Sequence, residues 1–155
     1  MLKILFVCHG NICRSPMAQS VMTHLVSQAG LAAQFEINSA ATSREEIGNP
    51  VHPGTRKKLQ AEGIPLIPHK AIQMRRQDYA DYDLIIPMDR QNFRNIYRIV
   101  GDDRLGKIRL LLDFTTHPGD IADPWYTGNF DAAYRDILEG CQGLLTYCSS
   151  SLPTP

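Results

Sequence analysis

The stretch KILFVCHGNICRSPM, residues 3–17, decides the fold of this chain. Its first part, Lys3–Val7, is short, apolar and partly β-branched, and such a run predicts a buried strand. A polar turn, Cys8–Ser15, comes next. The Ser-Pro pair that closes the turn predicts the start of a helix, because serine caps helices and proline suits their first position. The chain therefore passes from a strand through a tight loop into a helix, which we expect to end at Gly30.

Strands and helices are predicted to alternate along the rest of the chain. The patterns predict strands over residues 34–39, 83–87 and 107–112, helices over 55–62, 75–79, 90–100 and 130–148, and long loops over 42–54 and 117–129. This alternation predicts a single α/β domain over residues 1–155 with a parallel sheet, in which residues 149–155 form a frayed tail. Parallel sheets bind ligands at the carboxyl ends of their strands, which is where the Cys8 loop lies.

The composition argues against several classes of function. The 16 basic and 16 acidic residues balance, so no overall positive field exists to hold nucleic acid or a membrane surface. No apolar run is long enough for a membrane span or a secretory signal, and we expect a cytoplasmic protein. The four cysteines, at positions 8, 13, 141 and 148, then form no disulfide framework, and they lack the short spacings of a zinc site.

The Cys8–Ser15 loop carries the residues for a chemical function. Backbone N–H groups between a strand and a helix N-terminus can form a nest for an anion. We expect Gly10 to supply the backbone freedom of this turn, and Arg14 offers a planar guanidinium for two phosphate oxygens. The same positive potential favours a Cys8 thiolate at the base of the nest, where it can attack phosphorus. Ser15 can donate a hydrogen bond to that thiolate.

Asp123 is the candidate general acid. A C-x5-R spacing alone favours a buried cysteine followed by a surface arginine, but its place between a strand and a helix, with Gly, Asn and Ser-Pro, favours catalysis. Expelling a phenolate then needs an acid, since the pKa of a phenol is about 10. Pro124 favours an extended Asp123, and Trp125 and Tyr126 could wall a slot for an aromatic ring. Without Cys8, an Asp-Pro turn beside two partly buried aromatic residues is the simpler interpretation.

Matches along almost the whole chain then indicate a family. The run ILFVCHGNICRSPMAQ, residues 4–19, resembles the signature loop of the low-molecular-weight protein tyrosine phosphatases nearly residue for residue. Further matches follow in order: Asn38-Ser39-Ala40; Asn49-Pro50, Pro53, Leu59 and Glu62-Gly63-Ile64; His69-Lys70-Ala71; Met88-Asp89 and Asn92; and Ile121 to Tyr126.

The resemblance implies a fold and a set of roles. The sheet would have four parallel strands flanked by helices, the phosphate-binding loop would join the first strand to the first helix, and no metal or organic cofactor would be needed. Cys8 would be the nucleophile, Arg14 the phosphate clamp and Asp123 the general acid and base. Asn11 and Ser39 would brace the loop by hydrogen bonds. The implied supporting residues are Ser39, His69 and Asp89. By themselves, His69 and Asp89 indicate only a capped turn and a helix N-cap. The implied substrate-binding residues are His9, Gly10, Asn11, Ile12, Cys13, Ser15, Glu45, Trp125 and Tyr126.

Some positions depart from the family pattern or have two interpretations. His9 stands where the family usually has an apolar residue, Glu45 where an aromatic wall is common, and Trp125 where tyrosine is common. These residues leave the substrate preference open, and Glu45 at the mouth would disfavour acidic peptides. Cys13 matches a second loop cysteine that pairs reversibly with the nucleophile in the family; a small packed thiol is the alternative.

Rival functions follow from the same residues. An arginine phosphatase of this fold typically carries threonine at the position of Ile12, whose bulk suits an aryl phosphate. A thioredoxin-coupled arsenate reductase needs two further cysteines in the middle of the chain, and none lies between Cys13 and Cys141. A non-catalytic phosphate-binding module would not need the full catalytic set. The expected partner is a phosphotyrosine protein or a small aryl phosphate, bound by a monomer or a weakly self-associating chain.

Overall fold

The computed structural model describes residues 1–150 of the chain and shows a parallel sheet at its centre. Three strands form this sheet in the order β2-β1-β3, with β1 at Leu2–Cys8, β2 at Phe35–Ala41 and β3 at Leu84–Pro87. The first strand is paired on both edges and buried on both faces over residues 4–8, which explains its near-continuous apolar sequence. The predicted α/β class with a parallel sheet is confirmed.

Helices cover both faces of the sheet. They are α1 (Arg14–Gln28), α2 (Pro53–Ala61), α3 (Asp78–Asp81), α4 (Arg90–Val100), α5 (Pro124–Thr127) and α6 (Phe130–Ser149), with 3₁₀ helices at Ala32–Gln34 and Leu111–Phe114. Side chains alternate across β1, so Ile4 and Phe6 pack in one core with α1 and α6, while Leu5 and Val7 pack in a second core with α4. The helices leave the carboxyl end of β1 open, and Cys8 lies there.

The predicted fourth strand over residues 107–112 is wrong. Ile108 makes a single parallel bridge to Ile85 of β3, and the chain then turns into the 3₁₀ helix at Leu111–Phe114. The Asp103 carboxylate accepts the backbone N–H groups of Lys107 (2.7 Å) and Ile108 (3.2 Å), which takes donors away from a ladder. Leu111 and its neighbour at 112 are also both buried in the core beneath α6. Consecutive residues of a strand point to opposite faces, so a helical turn buries this pair on one side better than a strand would.

The remaining differences concern boundaries. The short helix predicted over 75–79 lies at Asp78–Asp81, and the loop predicted over 117–129 contains α5. The last helix continues to Ser149, so residue 149 is not part of a frayed tail, and residues 151–155 lie outside the described part of the chain. A single domain over residues 1–155 stays a prediction. Among residues 1–150, no helix is both long enough and apolar enough to cross a membrane.

Candidate active site

The loop after β1 reverses direction within a few residues, between Cys8 and the start of α1 at Arg14. Asn11 makes the reversal with a left-handed backbone (φ 61°), which asparagine tolerates better than most residues. The expectation that Gly10 supplies this freedom is wrong, because Gly10 is not among the residues with positive φ. Its missing side chain instead makes room for Glu46, since a Cβ at position 10 would lie 3.3 Å from Glu46 Cγ.

Cys8 lies at the base of the loop and is only 3% exposed. Its Sγ lies 3.0 Å from the hydroxyl oxygen of Ser15, and the backbone N–H of Asn11 donates to the same sulfur at 3.3 Å. Ser15 Oγ accepts a hydrogen bond from Asn11 Nδ2 (2.8 Å), so the hydroxyl hydrogen is free to be donated to sulfur. Two donors therefore face Cys8 Sγ, an arrangement suited to hold a negatively charged atom in place.

Asn11 fixes the loop through its side chain as well as its backbone. Its amide nitrogen donates to Ser15 and to the Ser39 hydroxyl (3.0 Å), which belongs to β2. Its amide oxygen accepts from His69 Nε2 (2.6 Å) and from the backbone N–H of Ile72 (3.1 Å). The amide thus donates two hydrogen bonds and accepts two, which is its full capacity. These partners replace water, from which the residue is shielded at 1% exposure. The position of Cys8 thus depends on contacts with three separate parts of the chain.

His69 is linked to Cys8 indirectly, because its Nε2 contacts Asn11 Oδ1 at 2.6 Å and lies 3.4 Å from the Ser39 hydroxyl. An amide oxygen can only accept, so the 2.6 Å contact with Asn11 assigns the proton of the neutral imidazole to Nε2. Burial lowers the pKa of His69 below its ordinary value. The ring is therefore neutral at pH 7 and donates a hydrogen bond without adding charge to the site.

Arg14 is the buried cation of the site, at 2% exposure. Its Nη1 donates to Asp89 Oδ2 (2.7 Å) and to the backbone oxygen of Ile121 (2.8 Å), and its Nη2 lies 3.4 Å from Asp123 Oδ2. Burial opposes the charge of the guanidinium, but the negative charges of Cys8, Asp123 and Asp89 outweigh burial and raise the pKa of Arg14. The guanidinium is therefore charged and held in one orientation beside the thiol.

The two carboxylates beside Arg14 are both helix N-caps. Asp89 Oδ1 accepts the N–H of Asn92 (2.7 Å) at the start of α4, and Asp123 Oδ1 accepts the N–H of Trp125 (3.1 Å) at the start of α5. Each carboxylate uses its other oxygen for Arg14. Of the two, only Asp123 lines the cleft, so Asp123 is placed to exchange a proton with a bound molecule while Asp89 orients the arginine.

A cleft above Cys8 brings most of the predicted residues together. Trp125 and Tyr126 form its exposed aromatic part, at 55% and 80% exposure. Ser15 lies beneath the thiol and does not line the cleft, and the supporting residues Ser39, His69 and Asp89 also lie outside its lining. The lining residues are Cys8, His9, Gly10, Asn11, Ile12, Cys13, Arg14, Glu45, Glu46, Asp123, Trp125 and Tyr126.

The rim of the cleft is acidic on one side. His9 Nε2 lies 3.0 Å from Glu45 Oε2, and the two side chains are 41% and 69% exposed. Glu46 lines the cleft beside them and accepts a hydrogen bond from Asn49 Nδ2 (2.5 Å). The imidazole of His9 is thus drawn to the loop that carries both glutamates, and an exposed carboxylate at this rim repels acidic groups near a bound phosphate.

Cys13 is a buried thiol that also lines the cleft. Burial and the negative charges of Cys8 and Asp123 raise its pKa to about 12, so Cys13 is protonated at neutral pH. The described cysteines are all free, and Cys141 and Cys148 lie in the core between α1 and α6. The two loop cysteines therefore have different characters, since only Cys8 has hydrogen-bond donors aimed at its sulfur.

Two residues of the site were not predicted. Gln19 of α1 is 5% exposed and accepts the hydrogen bond of the Ser39 hydroxyl at 2.6 Å, so it orients the group that Asn11 contacts. A polar residue among the apolar residues of α1 was the available signal, but periodicity could not distinguish it from a surface position. Glu46 has no separate signal, because its side chain reaches the cleft only through the conformation of the loop after β2.

The arrangement suits the transfer of a phosphoryl group. The loop presents a sulfur atom at the base of a cleft, a guanidinium beside it and a carboxylate on the wall. A tetrahedral dianion bound there would meet the sulfur, N–H donors and Arg14 together. Asp123 lies within 3.4 Å of the same guanidinium, close enough to reach an oxygen that leaves phosphorus.

Comparisons with known proteins agree with this geometry. The family model for low molecular weight phosphotyrosine protein phosphatase matches residues 3–152. The chain is 40% identical over 147 residues to the low molecular weight protein-tyrosine-phosphatase YfkJ of Bacillus subtilis, with 94% of both chains covered. It is 36% identical over 148 residues to PtpA of Staphylococcus epidermidis, covering 95% of this chain and 94% of that protein.

Solved structures show the same fold. The crystal structure of YfkJ from Bacillus subtilis superposes with a TM-score of 0.95 at 38% identity, covering 99% of this chain and 98% of that one. The crystal structure of DARP, a Drosophila arginine phosphatase, superposes with a TM-score of 0.87 at 30% identity, covering 97% of this chain and all (100%) of that one.

Proposed function

This chain belongs to the low molecular weight phosphotyrosine protein phosphatase family, and we propose that it hydrolyses phosphotyrosine and other aryl phosphate monoesters through a phosphocysteine intermediate. One observation carries the residue assignment: Cys8 and Arg14 of the phosphate-binding loop line a single cleft with Asp123, which is distant in the sequence. The names of its relatives, protein-tyrosine-phosphatases, support the same class of enzyme.

In the first step the Cys8 thiolate attacks phosphorus. An S–P bond forms while the bond between phosphorus and the phenolic oxygen breaks, and the carboxylic acid of Asp123 gives its proton to the leaving oxygen. The product is a neutral phenol and a phosphocysteine. Arg14 and the N–H groups of the loop hold the three equatorial oxygens, where charge is greatest in the transition state.

In the second step water cleaves the intermediate. The Asp123 carboxylate formed in the first step takes a proton from water, the oxygen bonds to phosphorus, and the S–P bond breaks. Inorganic phosphate leaves, and Cys8 returns as a thiolate. Ser15, 3.0 Å from the sulfur, donates to the departing thiolate and so makes it a better leaving group.

The walls of the cleft favour an aryl phosphate over phosphoarginine. Ile12 lines the cleft and packs with Phe130, and Trp125 and Tyr126 add aromatic surface. A phenyl ring gains from burial against such surfaces, whereas a guanidinium must be paired to be buried. Competition between a phosphotyrosine peptide and a phosphoarginine peptide of the same sequence tests this preference; faster turnover of phosphoarginine would favour the arginine phosphatase alternative.

Hydrolysis of p-nitrophenyl phosphate in EDTA, at mildly acidic pH, tests the function. We expect turnover in wild type, none in Cys8→Ser, and near-normal turnover in the control Cys148→Ala, whose thiol does not line the cleft. In Asp123→Asn we expect kcat to fall about 10²- to 10⁴-fold for phenyl phosphate, and less for a substrate whose phenol is more acidic. Phosphate binding without turnover in freshly reduced wild type would instead indicate a non-catalytic binding module.

We further propose that Cys13 protects Cys8 from irreversible oxidation. Peroxide would convert the Cys8 thiolate to a sulfenic acid with release of hydroxide, and the Cys13 sulfur would then displace water from it to form a disulfide. The high pKa of Cys13 supports this division of roles, because Cys13 stays a thiol while the Cys8 sulfur is the nucleophile that reacts with peroxide. A packed thiol without a redox role is the alternative.

The remaining parts of the proposal concern conditions and partners. The cleft residues supply nucleophile, clamp and acid from the chain itself, so we propose that catalysis needs no metal or organic cofactor, as the EDTA assay tests. Because the nucleophile must be a reduced thiol, we propose that the protein acts in the cytoplasm. That the chain is a monomer or self-associates weakly stays a prediction, which light scattering across a concentration series would check.

A further inference from the structure

His52 lies outside the cleft lining but contacts the phosphate-binding loop, α2 and the start of α6. Its backbone N–H donates to the Ile12 carbonyl of the phosphate-binding loop at 2.8 Å. Its ring nitrogen Nδ1 accepts the N–H of Gly54 at 2.9 Å and so caps α2. The face of the same ring stacks on Phe130 at the start of α6, with centroids 5.2 Å apart and planes 24° apart.

The His52 ring is connected to the cleft through Trp125, which lines the cleft. The His52 and Trp125 rings meet at 83°, with centroids 5.8 Å apart, which is a favourable edge-to-face geometry. Among the ring pairs of the described residues, His52 is the only partner of Trp125. Trp125 is 55% exposed, so the indole is only partly packed against the rest of the protein.

The ring of Phe130, on which His52 stacks, is itself closely packed. A Cβ at Gly54 would overlap the ring of Phe130, so that ring lies directly on the backbone of α2. Phe130 also packs against the cluster formed by Ile12 and Cys13 of the phosphate-binding loop. Contacts therefore run without a gap from that loop through Phe130 and His52 to Trp125.

We propose that His52 is a positioning residue that sets the width of the aryl slot by holding the indole of Trp125 at a fixed place relative to the phosphate-binding loop. The inference rests on the proposed function, because it assigns the slot to an aromatic leaving group. A helix cap alone accounts for Nδ1, but it does not require the imidazole to lie between Phe130 and Trp125; serine, threonine, aspartate or asparagine caps equally well.

Two substitutions separate the ring from the cap. His52→Asn keeps an acceptor for Gly54 and removes the ring, whereas His52→Phe keeps a ring and removes the acceptor. For His52→Asn we expect KM for p-nitrophenyl phosphate to rise about 2- to 10-fold, as loss of one edge-to-face pair predicts, with melting temperature close to wild type. For His52→Phe we expect the reverse: a lower melting temperature and a KM near wild type.

Inhibition by inorganic phosphate provides the control for a general disturbance of the site. Phosphate contacts the loop and Arg14 but not the aryl slot, so its inhibition constant should be unchanged in His52→Asn. In a Trp125→Ala background, His52→Asn should no longer raise KM, because the residue through which it acts is gone. An equal rise in KM in that background, or a weaker phosphate inhibition, would overturn the proposal.

The fluorescence of Trp125 reports its contact with His52 without any substrate being turned over. Trp125 is the single tryptophan of the chain, so its emission reports this site alone. We expect a red shift and lower anisotropy in His52→Asn and a smaller change in His52→Phe. Unchanged emission and anisotropy in His52→Asn would overturn the positioning role of His52, even if wild type is active. An inactive wild type with the expected emission changes would refute the proposed function but would still support the contact between His52 and Trp125.

Discussion

At the scale of single residues, Asn11 has the largest share in shaping the site. It combines a left-handed backbone with side-chain hydrogen bonds to Ser15, Ser39 and His69. Few side chains both tolerate that backbone and offer a donor and an acceptor at the same carbon. The thiol of Cys8 is therefore placed by an amide that never needs to touch the reacting phosphorus.

Two substitutions of Asn11 separate the contribution of its left-handed backbone from that of its side-chain hydrogen bonds. We expect Asn11→Ala to lower the free energy of unfolding by about 2–4 kcal/mol, from a strained backbone and unsatisfied buried partners. Asn11→Gly relieves the backbone strain and should be about 1 kcal/mol less destabilised. Urea denaturation of both variants measures the difference. Equal stabilities would show that the left-handed conformation costs nothing here.

Cys13 gives a second prediction at this scale. After brief exposure to peroxide, wild type should regain most of its activity with dithiothreitol, whereas Cys13→Ser should lose it irreversibly, because Cys8 is then free to oxidise past the sulfenic acid. Phosphatase activity before and after the reductant measures this. Equal recovery in both proteins would leave Cys13 as a packed thiol, and Cys148→Ala should behave as wild type.

At the scale of elements, the segment that replaces the predicted fourth strand is held by α6. Two glycines of that helix face it: a Cβ at Gly140 would meet the Leu111 side chain 2.5 Å away, and one at Gly143 would overlap the backbone carbonyl of Phe114. A side chain can turn aside, but a backbone carbonyl of a packed turn cannot. Gly143 thus permits the close approach that lets Leu111 enter the core.

We expect Gly143→Ala to destabilise the fold even though alanine is the better helix former. Overpacking costs about 1–3 kcal/mol or more, which exceeds the helix propensity gain of about 1 kcal/mol. The exposed neighbour substitution Gln142→Ala should change stability by no more than about 0.5 kcal/mol. Thermal unfolding compares the two, and a Gly143→Ala protein as stable as wild type would contradict the close approach.

At the scale of the whole molecule, the site joins parts distant in the chain. His69 and Asn11 are in contact although they are 58 residues apart in the sequence, and Arg14 and Asp123 although they are 109 residues apart. These contacts join the loop to distant segments, so its geometry depends on tertiary packing as well as on its own sequence. Stability and catalytic geometry are therefore coupled through the buried polar groups beneath Cys8.

The buried neutral His69 makes that stability depend on pH. Its pKa is lowered in the folded state, so below the ordinary histidine pKa of about 6.5 the unfolded state binds a proton that the folded state resists. This contribution is fully present above about pH 6.5 and is lost as pH falls toward the lowered folded pKa. The free energy of unfolding of wild type should thus fall more steeply than that of His69→Asn on acidification from neutral pH. Parallel curves would contradict a buried neutral ring.

The sequence predicted the first strand, the loop and α1 because they are determined locally. An apolar run, a polar turn and a Ser-Pro pair follow one another without gaps, and each has a strong local preference. The fourth strand failed for the opposite reason. Residues 107–112 are apolar enough for a strand, but Asp103 and the glycine face of α6, both outside the segment, decide their conformation.

The sequence by itself indicated the family and the proposed chemistry: a cysteine and an arginine on one loop, a candidate acid in an Asp-Pro pair, and a resemblance that spans the chain. Only the tertiary structure decided which residue makes the turn, Asn11 rather than Gly10, and which residues lie beneath and behind the site, such as Gln19 and His52. The physical reason is that reactive groups are recognised by residue type and local spacing. Their supports are ordinary residues whose roles arise only when distant segments pack together.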